Sequence, residues 1–250
     1  MTDLLPGFRR RTRRIWNYHR IERAVRGRRG LELGGPSSVF SPETPNGYIP
    51  PIYVLAGSID NCNYATSTRW SQGEAGRTFQ YLADREPGLQ YIHDAAALSS
   101  ITDETYDFLL ASHVLEHVAN PLRALQEFHR VLKPSGVALV LVPNRIHTFD
   151  HQRPYTTFAH LMQDLEAGTE ETDLTHMDEI LALHDLSMDP PAGTPDEFRA
   201  RCMRNVENRC MHHHVFGIDV LQQAMRVAGF RPLYTADAWP PHLLVFARKT

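Results

Sequence analysis

The sequence contains little cysteine and no long run of apolar residues. Its three cysteines, Cys62, Cys202 and Cys210, are odd in number and form no CxxC pair, which favours a reduced intracellular compartment. No stretch reaches the roughly 18 apolar residues that a membrane-spanning helix needs. The N-terminus also lacks the apolar segment of a signal peptide. These absences lead us to expect a cytoplasmic protein.

Charge is unevenly distributed along the chain. The net charge of −3 argues against a protein that binds polyanions as a whole, so we expect no nucleic-acid partner. Residues 9–29 nevertheless hold ten arginines, and Ile15, Trp16, Ile21 and Val25 recur among them at helix-like spacing. We predict a basic amphipathic helix within residues 1–29. It either docks on the domain with its arginines in solvent, or attracts an anionic membrane surface, an acidic ligand or a second copy of the chain.

The rest of the chain alternates strand and helix signals. Apolar runs typical of strands buried on both faces occupy residues 30–35, 52–60, 89–98, 106–113 and 136–144. Amphipathic helices are predicted over 120–136 and 218–230, and two strands over 232–238 and 242–249. This order predicts a doubly wound α/β sheet that closes in a hairpin. The core would span 30–143 and 217–250, with residues 144–216 as a cap on the carboxyl ends of the strands.

Glycines or polar residues lie at the ends of four of the predicted strands. Gly34 and Gly35 close the first, Asp60 the second and Asp94 the third, and "ASHVLEHV" (111–118) follows the fourth. A carboxylate after the second strand is well placed to accept both hydroxyls of a ribose. A nicotinamide-dinucleotide protein shares this layout, but "GLELGGPSS" contains no G-x-G-x-x-G, which counts against it.

These segments resemble the successive motifs of class I S-adenosylmethionine-dependent methyltransferases, most specifically from Asp107 to Pro143. The resemblance implies a seven-stranded Rossmann-like sheet with one antiparallel strand, and S-adenosylmethionine as cofactor. It also implies roles for eight residues: Glu32, Gly34 and Gly35 beside the methionine moiety, Asp60 at the ribose, Asp94 and Ala95 at the adenine, and Ser112 and His113 beneath the methyl group. Two departures are Pro36 in the glycine loop and a first crossover too proline-rich for a regular helix.

The insert holds eight of the fourteen histidines. Through segments such as "TFDHQRP" (148–154) and "NRCMHHHVF" (208–216) it resembles inserts of bacterial methyltransferases of saccharide and glycolipid biosynthesis, including the makers of the methylated mannose polysaccharides of mycobacteria. The resemblance implies O-methylation of a sugar hydroxyl, with a mannoside as the best guess. The alternatives are another small-molecule or lipid-linked acceptor and, less favoured, nucleic acid.

Methylation of a sugar hydroxyl needs a base that removes the proton or a metal ion that lowers the pKa of the hydroxyl. His147 and Asp150 directly follow the fifth strand, so we predict them as catalytic, with His214 as a further candidate. Arg153, His176 and His212 are predicted to contact substrate, although Arg153 is equally expected as a structural anchor. His212 and His214 alternate and would share one face of an extended chain. With Asp150 they form a candidate metal site, for Mg²⁺ or a transition metal, whereas the alternative is a polar cluster that holds the cap.

Overall fold

The computed structural model describes residues 17–44, 47–238 and 242–250. Helix α1 covers residues 17–25, and its Ile21 and Val25 are buried against the domain. This agrees with the predicted amphipathic pattern and with a docked helix. Ile15, Trp16 and the arginines before them lie outside the described residues. Within the described residues, no helix is long and apolar enough to cross a membrane.

A mixed sheet forms the centre of the molecule. Its strands are β1 (Arg29–Leu33), β2 (Ser58–Asn63), β3 (Gly76–Phe79), β4 (Gly88–Ile92), β5 (Tyr106–Ser112), β6 (Leu132–Pro143), β7 (Phe230–Ala238) and β8 (His242–Lys249). Their spatial order is β3-β4-β2-β1-β5-β6-β8-β7, with β8 antiparallel to both of its neighbours. The order reverses between β1 and β5, and ligands bind at such a switch point in open α/β sheets.

Helices cover both faces of the sheet. They are, after α1, α2 (Ile52–Leu55), α3 (Pro121–Val131), α4 (Phe158–Ala167), α5 (Met177–Leu183), α6 (Pro195–Met203), α7 (Asn205–Asn208) and α8 (Ile218–Val227). Leu109 and Ala111 of β5 face the core that α3 and α8 complete, whereas Phe108 and Leu110 face the core that includes α1 and α2. This alternation explains why β5 is apolar throughout.

The predicted α/β class is confirmed, with two differences. The described sheet has eight strands rather than seven, because the short β3 pairs antiparallel with β4 at the edge. The predicted strand 52–60 is wrong over its first half: Ile52–Leu55 is a helical turn, and β2 starts only at Ser58. In the described part of the first crossover, a short 3-10 turn, Ser38–Phe40, is the only helical segment before α2, as its prolines lead us to expect.

The insert, residues 144–216, contains α4 to α7 and a small core of its own. That core buries six side chains: Met177, Ile180, Ala192, Phe198, Cys202 and Met211. Several insert residues line a cleft together with the carboxyl ends of β1, β2, β5 and β6. The insert therefore lies over the edge of the sheet where a ligand is expected.

Candidate active site

A cleft of about 830 Å³ lies between the carboxyl ends of the strands and the insert. This volume is in the upper part of the range for small-molecule sites, so it has room for two ligands side by side. Of the predicted site residues, the cleft is lined by Gly34, Ala95, Ser112, His113, His147 and His212. The other predicted site residues do not line the cleft.

The glycine loop after β1 is supported from below by Glu32. Glu32 is fully buried; its carboxylate accepts hydrogen bonds from Tyr53 Oη at 2.9 and 3.0 Å and from the Ser37 amide at 3.0 Å. A Cβ on Gly35 would lie 2.3 Å from the carboxyl carbon of Glu32, so only glycine fits there. Burial raises the pKa of Glu32 to about 8. Glu32 and Gly35 therefore shape the loop, and of its two glycines only Gly34 lines the cleft.

The predicted position of Asp60 at the end of the second strand is wrong, because β2 continues to Asn63. Asp60 is buried within the sheet. Its carboxylate accepts hydrogen bonds from Arg29 at 2.7 Å, from the Leu89 amide at 2.8 Å and from Tyr106 Oη at 2.9 Å. A carboxylate with these partners stabilises the sheet and is not available to a ribose in the cleft.

Asn63 occupies the end of β2 instead and lines the cleft. Its Nδ2 donates to the Gly35 carbonyl and to Ser71 Oγ, so its Oδ1 remains as an acceptor. After β4, Ala95 lines the cleft, whereas Asp94 accepts from the Ala96 amide at 2.7 Å and pairs with Arg209. Sequence reasoning missed Asn63 because the strand was placed too early.

A buried aspartate and a histidine meet beside the cleft. Asp150 Oδ2 lies 2.5 Å from Nδ1 of His212, and Asp150 Oδ1 accepts from Arg153 at 3.0 Å. Burial opposes ionisation of Asp150, but its interactions with His212 and Arg153 hold its pKa well below the usual value. Burial alone would lower the pKa of His212, yet the Asp150 carboxylate outweighs it and raises that pKa. Asp150 therefore orients His212. His147 is exposed and also lines the cleft.

The structure corrects the prediction that Arg153 contacts substrate. Its side chain is 1% exposed and does not line the cleft. The guanidinium donates to Asp150, to Glu179 and to the His212 carbonyl at 2.9–3.0 Å. Arg153 is thus the structural anchor that the sequence allowed as the alternative.

A second carboxylate beside the cleft has no hydrogen-bond partner. Both oxygens of the buried Glu116 are unpaired, and His113 and His117 each approach one of them to 4.0 Å. Burial raises the pKa of Glu116 to about 7. Glu116, His117 and His212 each offer an atom within 4.8 Å of the others, so they could hold a metal ion.

His113 forms a hydrogen-bonded pair with His242, with 2.7 Å between the ring nitrogens. Burial, and secondarily His242, lowers the pKa of His113 to about 3. Both rings line the cleft, and His113 follows the last residue of β5. A neutral imidazole pair therefore forms part of the cleft floor.

The predicted metal set of Asp150, His212 and His214 is wrong. His214 is buried with His160 and His176, in a group of its own among the described residues. The ring of His212 contacts His117 and Phe149 instead, with centroids 4.5 and 4.8 Å apart. His176 and His214 do not line the cleft, which removes the basis for a substrate role of His176 and for a catalytic role of His214.

The outer part of the cleft combines aromatic and charged side chains. Trp70 is 55% exposed, and its ring lies 5.3 Å from that of His117. Arg201 and Asp189 also line the cleft and pair with each other at 2.7 Å. These residues offer a flat apolar surface and hydrogen-bonding charges, and no local sequence pattern indicates either.

Comparison with known proteins identifies the domain. The sequence matches the methyltransferase domain family over residues 9–235. The chain belongs to this family. It is an S-adenosylmethionine-dependent methyltransferase, as the resemblance of its motifs implies. No curated protein matches the sequence at a significant level.

Solved methyltransferases share the fold at low identity. The trans-methyltransferase CalH, in complex with SAH, superposes with a TM-score of 0.50 at 14% identity, over 94% of this chain and 55% of that one. An S-adenosylmethionine-dependent methyltransferase from Mesorhizobium loti gives 0.49 at 14%, over 90% and 93%. One from Aquifex aeolicus gives 0.47 at 11%, over 94% and 89%. At these identities the likeness concerns the fold alone.

Proposed function

We propose that this methyltransferase transfers a methyl group to a hydroxyl of a saccharide, with a mannoside as the first candidate. The observation that carries the proposal is the Asp150–His212 pair at the wall of the cleft. Hydroxyl methylation needs a group that removes a proton near neutral pH, and an oriented imidazole is the usual one. The resemblance of the insert to those of saccharide methyltransferases adds to this.

The donor would lie along the carboxyl ends of β1, β2, β4 and β5. Gly34 would approach the methionine moiety through its backbone, where a side chain would collide with Val114 at 2.9 Å. Asn63 Oδ1 would accept from the ribose, and Ala95 would contact the adenine. Ser112 and His113 would lie beneath the methyl group. Bound S-adenosylmethionine supplies that methyl group on a sulfonium, ready for in-line displacement.

The acceptor would occupy the outer part of the cleft. Trp70 offers an apolar face on which a pyranose ring can stack, as aromatic rings do on flat apolar partners. Arg201 and Asp189 can donate to and accept from neighbouring hydroxyls. This pairing of a ring face with charged hydrogen-bonding groups favours a sugar over an unsubstituted lipid.

Proton removal falls to His212. Because Nδ1 bonds to the ionised Asp150, it carries the hydrogen, and the lone pair lies on Nε2. Nε2 would accept the hydroxyl proton as the carbon–oxygen bond forms, and Asp150 would stabilise the resulting imidazolium. Arg153 keeps Asp150 ionised and in place.

A specific observation favours a metal-assisted variant of the same reaction. Glu116 has two unpaired oxygens beside His117 and His212. A divalent cation held by these three residues would lower the pKa of an acceptor hydroxyl. Two imidazoles and one carboxylate suit a transition metal better than Mg²⁺.

The test is transfer of labelled methyl from S-adenosylmethionine to a panel of mannosides, glucosides, lipid-linked sugars, sugar-free lipids and RNA, with and without chelator. We expect label in a sugar, retained with chelator and reduced at least 100-fold by Asp150→Asn. Label only in sugar-free lipid or RNA would contradict the saccharide proposal. Loss of activity with chelator, restored by a transition metal and absent in Glu116→Gln, would select the metal-assisted variant.

A further inference from the structure

A second group of histidines lies in the insert, away from the cleft. His160 is in the first turn of α4, His176 immediately precedes α5, and His214 is in the segment that leads to α8. One nitrogen from each ring lies within 4.8 Å of the other two. Asp164 follows His160 by four residues on α4, so the two side chains share a helix face. None of these four residues lines the cleft.

The separations between these atoms are those of ligands around one ion. A tetrahedral site with bonds of 2.0–2.1 Å places its ligand atoms about 3.3 Å apart. His160 Nε2 lies 3.0 Å from His176 Nε2 and 3.4 Å from Asp164 Oδ2. Asp164 Oδ2 lies 3.8 Å from His214 Nε2, which donates to the Ala119 carbonyl at 3.2 Å. Binding of an ion through this Nε2 would replace that hydrogen bond, with the ring proton moving to Nδ1.

One atom of the group, Asp164 Oδ2, is buried without a hydrogen-bond partner. Asp164 is only 7% exposed; Thr169 donates to its Oδ1 at 3.1 Å, whereas its Oδ2 is unpaired. Leaving such an atom unsatisfied costs about 1–3 kcal/mol, so native proteins generally supply it with a partner. An unpaired carboxylate oxygen among three imidazoles indicates that the partner is a cation.

A neutral imidazole carries one lone pair that can bind such a cation, so each of the three histidines can supply one ligand atom. Mg²⁺ prefers oxygen ligands, whereas three nitrogens and one carboxylate oxygen suit Zn²⁺.

We propose that His160, Asp164, His176 and His214 bind one zinc ion that fastens the insert to the core. The site would join α4, the start of α5 and the segment before α8. That segment contacts the loop after β5 through the His214 amide and the Glu116 carbonyl, and Asn120 of the same loop donates to the Asp164 carbonyl at 2.9 Å. Four protein ligands leave no open position, which is the mark of a structural zinc site. This proposal is independent of the acceptor and of the base.

The test uses the full-length protein, stripped with chelator, incubated with zinc and desalted, with zinc measured per chain by mass spectrometry. His160→Ala and Asp164→Asn remove one ligand each. His151→Ala is the matched control, because His151 lies in the same insert with 35% of its side chain exposed, against 33% for His160. Glu116→Gln excludes the cleft group as the zinc site. Calorimetry measures zinc affinity, and thermal unfolding with and without zinc gives the change in Tm.

We expect about one zinc per chain in the wild type, in His151→Ala and in Glu116→Gln, and affinity weaker by about 100-fold or more in His160→Ala and Asp164→Asn. Zinc should raise the Tm of the wild type and of both controls, but not of the two ligand variants. The proposal is overturned if the wild type retains no zinc, or if His160→Ala and Asp164→Asn both bind it as tightly as His151→Ala does. Asp164→Asn keeps the shape of the side chain, so it serves as the decisive variant if His160→Ala does not fold.

Discussion

Asp150 and His212 are 62 residues apart in the chain, yet their side chains meet at 2.5 Å beside the cleft. A carboxylate that fixes one ring nitrogen leaves the other as a base of defined position. Arg153 completes the arrangement, because it contacts both Asp150 and the His212 carbonyl. The turn after β6 and the end of the insert are thus coupled at one point.

We expect Asp150→Asn and His212→Gln each to reduce kcat by about 100-fold or more, the magnitude for loss of a general base. Binding of S-adenosylhomocysteine, measured by calorimetry, should stay within about threefold of the wild type, since neither residue contacts the proposed donor site. His147→Ala is the comparison, because His147 also lines the cleft and is the other candidate for the base. A collapse of turnover in His147→Ala alone would reassign the base to His147.

The pH dependence of kcat/KM should reflect the ionisation of His212. The residue must be neutral to accept a proton, and its folded pKa is raised above 6.5, so activity should increase with pH through a pKa above 6.5. Asp150→Asn removes the carboxylate charge and leaves burial, which lowers the pKa. The acid limb of the residual activity should then move to lower pH. An acid limb at the same pH in both proteins would show that another group is being titrated.

Substitution of Asp60 should lower the stability of the protein, whereas substitution of Asn63 should lower its affinity for the cofactor. Asp60→Ala leaves the Leu89 amide and Tyr106 hydroxyl without an acceptor, so we expect the free energy of unfolding in urea to fall by about 2–4 kcal/mol. S-adenosylhomocysteine affinity of the folded variant should change little. Asn63→Ala should instead weaken that affinity by about 5- to 10-fold, the value of one hydrogen bond. If Asp60→Ala weakens S-adenosylhomocysteine binding and Asn63→Ala does not, Asp60 and not Asn63 contacts the ribose.

Glu32 should make stability depend on pH. Its folded pKa is about 8 and its usual value 4.5, so the folded state holds a proton that the unfolded state has lost between these two pH values. The free energy of unfolding should therefore decrease as pH rises from 4.5 to 8, by up to about 1.4 kcal/mol per pH unit from this group. Glu32→Gln, which mimics the protonated form, should flatten the slope measured by urea unfolding. The exposed Glu86→Gln is the control, and equal slopes in all three proteins would contradict the assignment.

Trp70→Ala tests the saccharide side of the cleft. Loss of a stacking surface should raise KM for the sugar by about 3- to 10-fold and leave the affinity for S-adenosylhomocysteine unchanged. Tyr155→Ala is the control, because Tyr155 is also exposed but stacks with Arg145 outside the cleft. An unchanged KM in Trp70→Ala would mean that the sugar does not contact this wall.

The segments with strong local signals begin within a residue of the prediction, but the helix predicted over 120–136 ends at Val131 and the strand predicted over 89–98 ends at Ile92. Helix α3 begins at Pro121 after the Asn120 cap, and β5 is an uninterrupted apolar run. Residues Ile52–Leu55 failed because four apolar residues in a row fit a buried strand and a helical turn equally well. That error moved the predicted end of β2 from Asn63 to Asp60, and the ribose contact was predicted at the wrong end.

The histidines of the insert illustrate a different limit. Alternation places His212 and His214 on one face only if the chain is a regular strand, and residues 211–217 form none. Their partners, Asp150 and His160, come from distant turns of the chain, and no local pattern specifies such pairings. The sequence therefore indicated a histidine-rich site but placed His212 and His214 in one group, whereas the structure places them in two.

Arg209 joins the two halves of the cleft. Its guanidinium pairs with Asp94, in the loop proposed to hold the adenine, and with Glu171 of the insert, at 2.9 and 3.0 Å. An ion pair that donor binding changes at Asp94 would also be felt at Glu171 in the insert. If the two sites are coupled through Arg209, linkage requires that the donor and the acceptor change each other's affinity by the same factor.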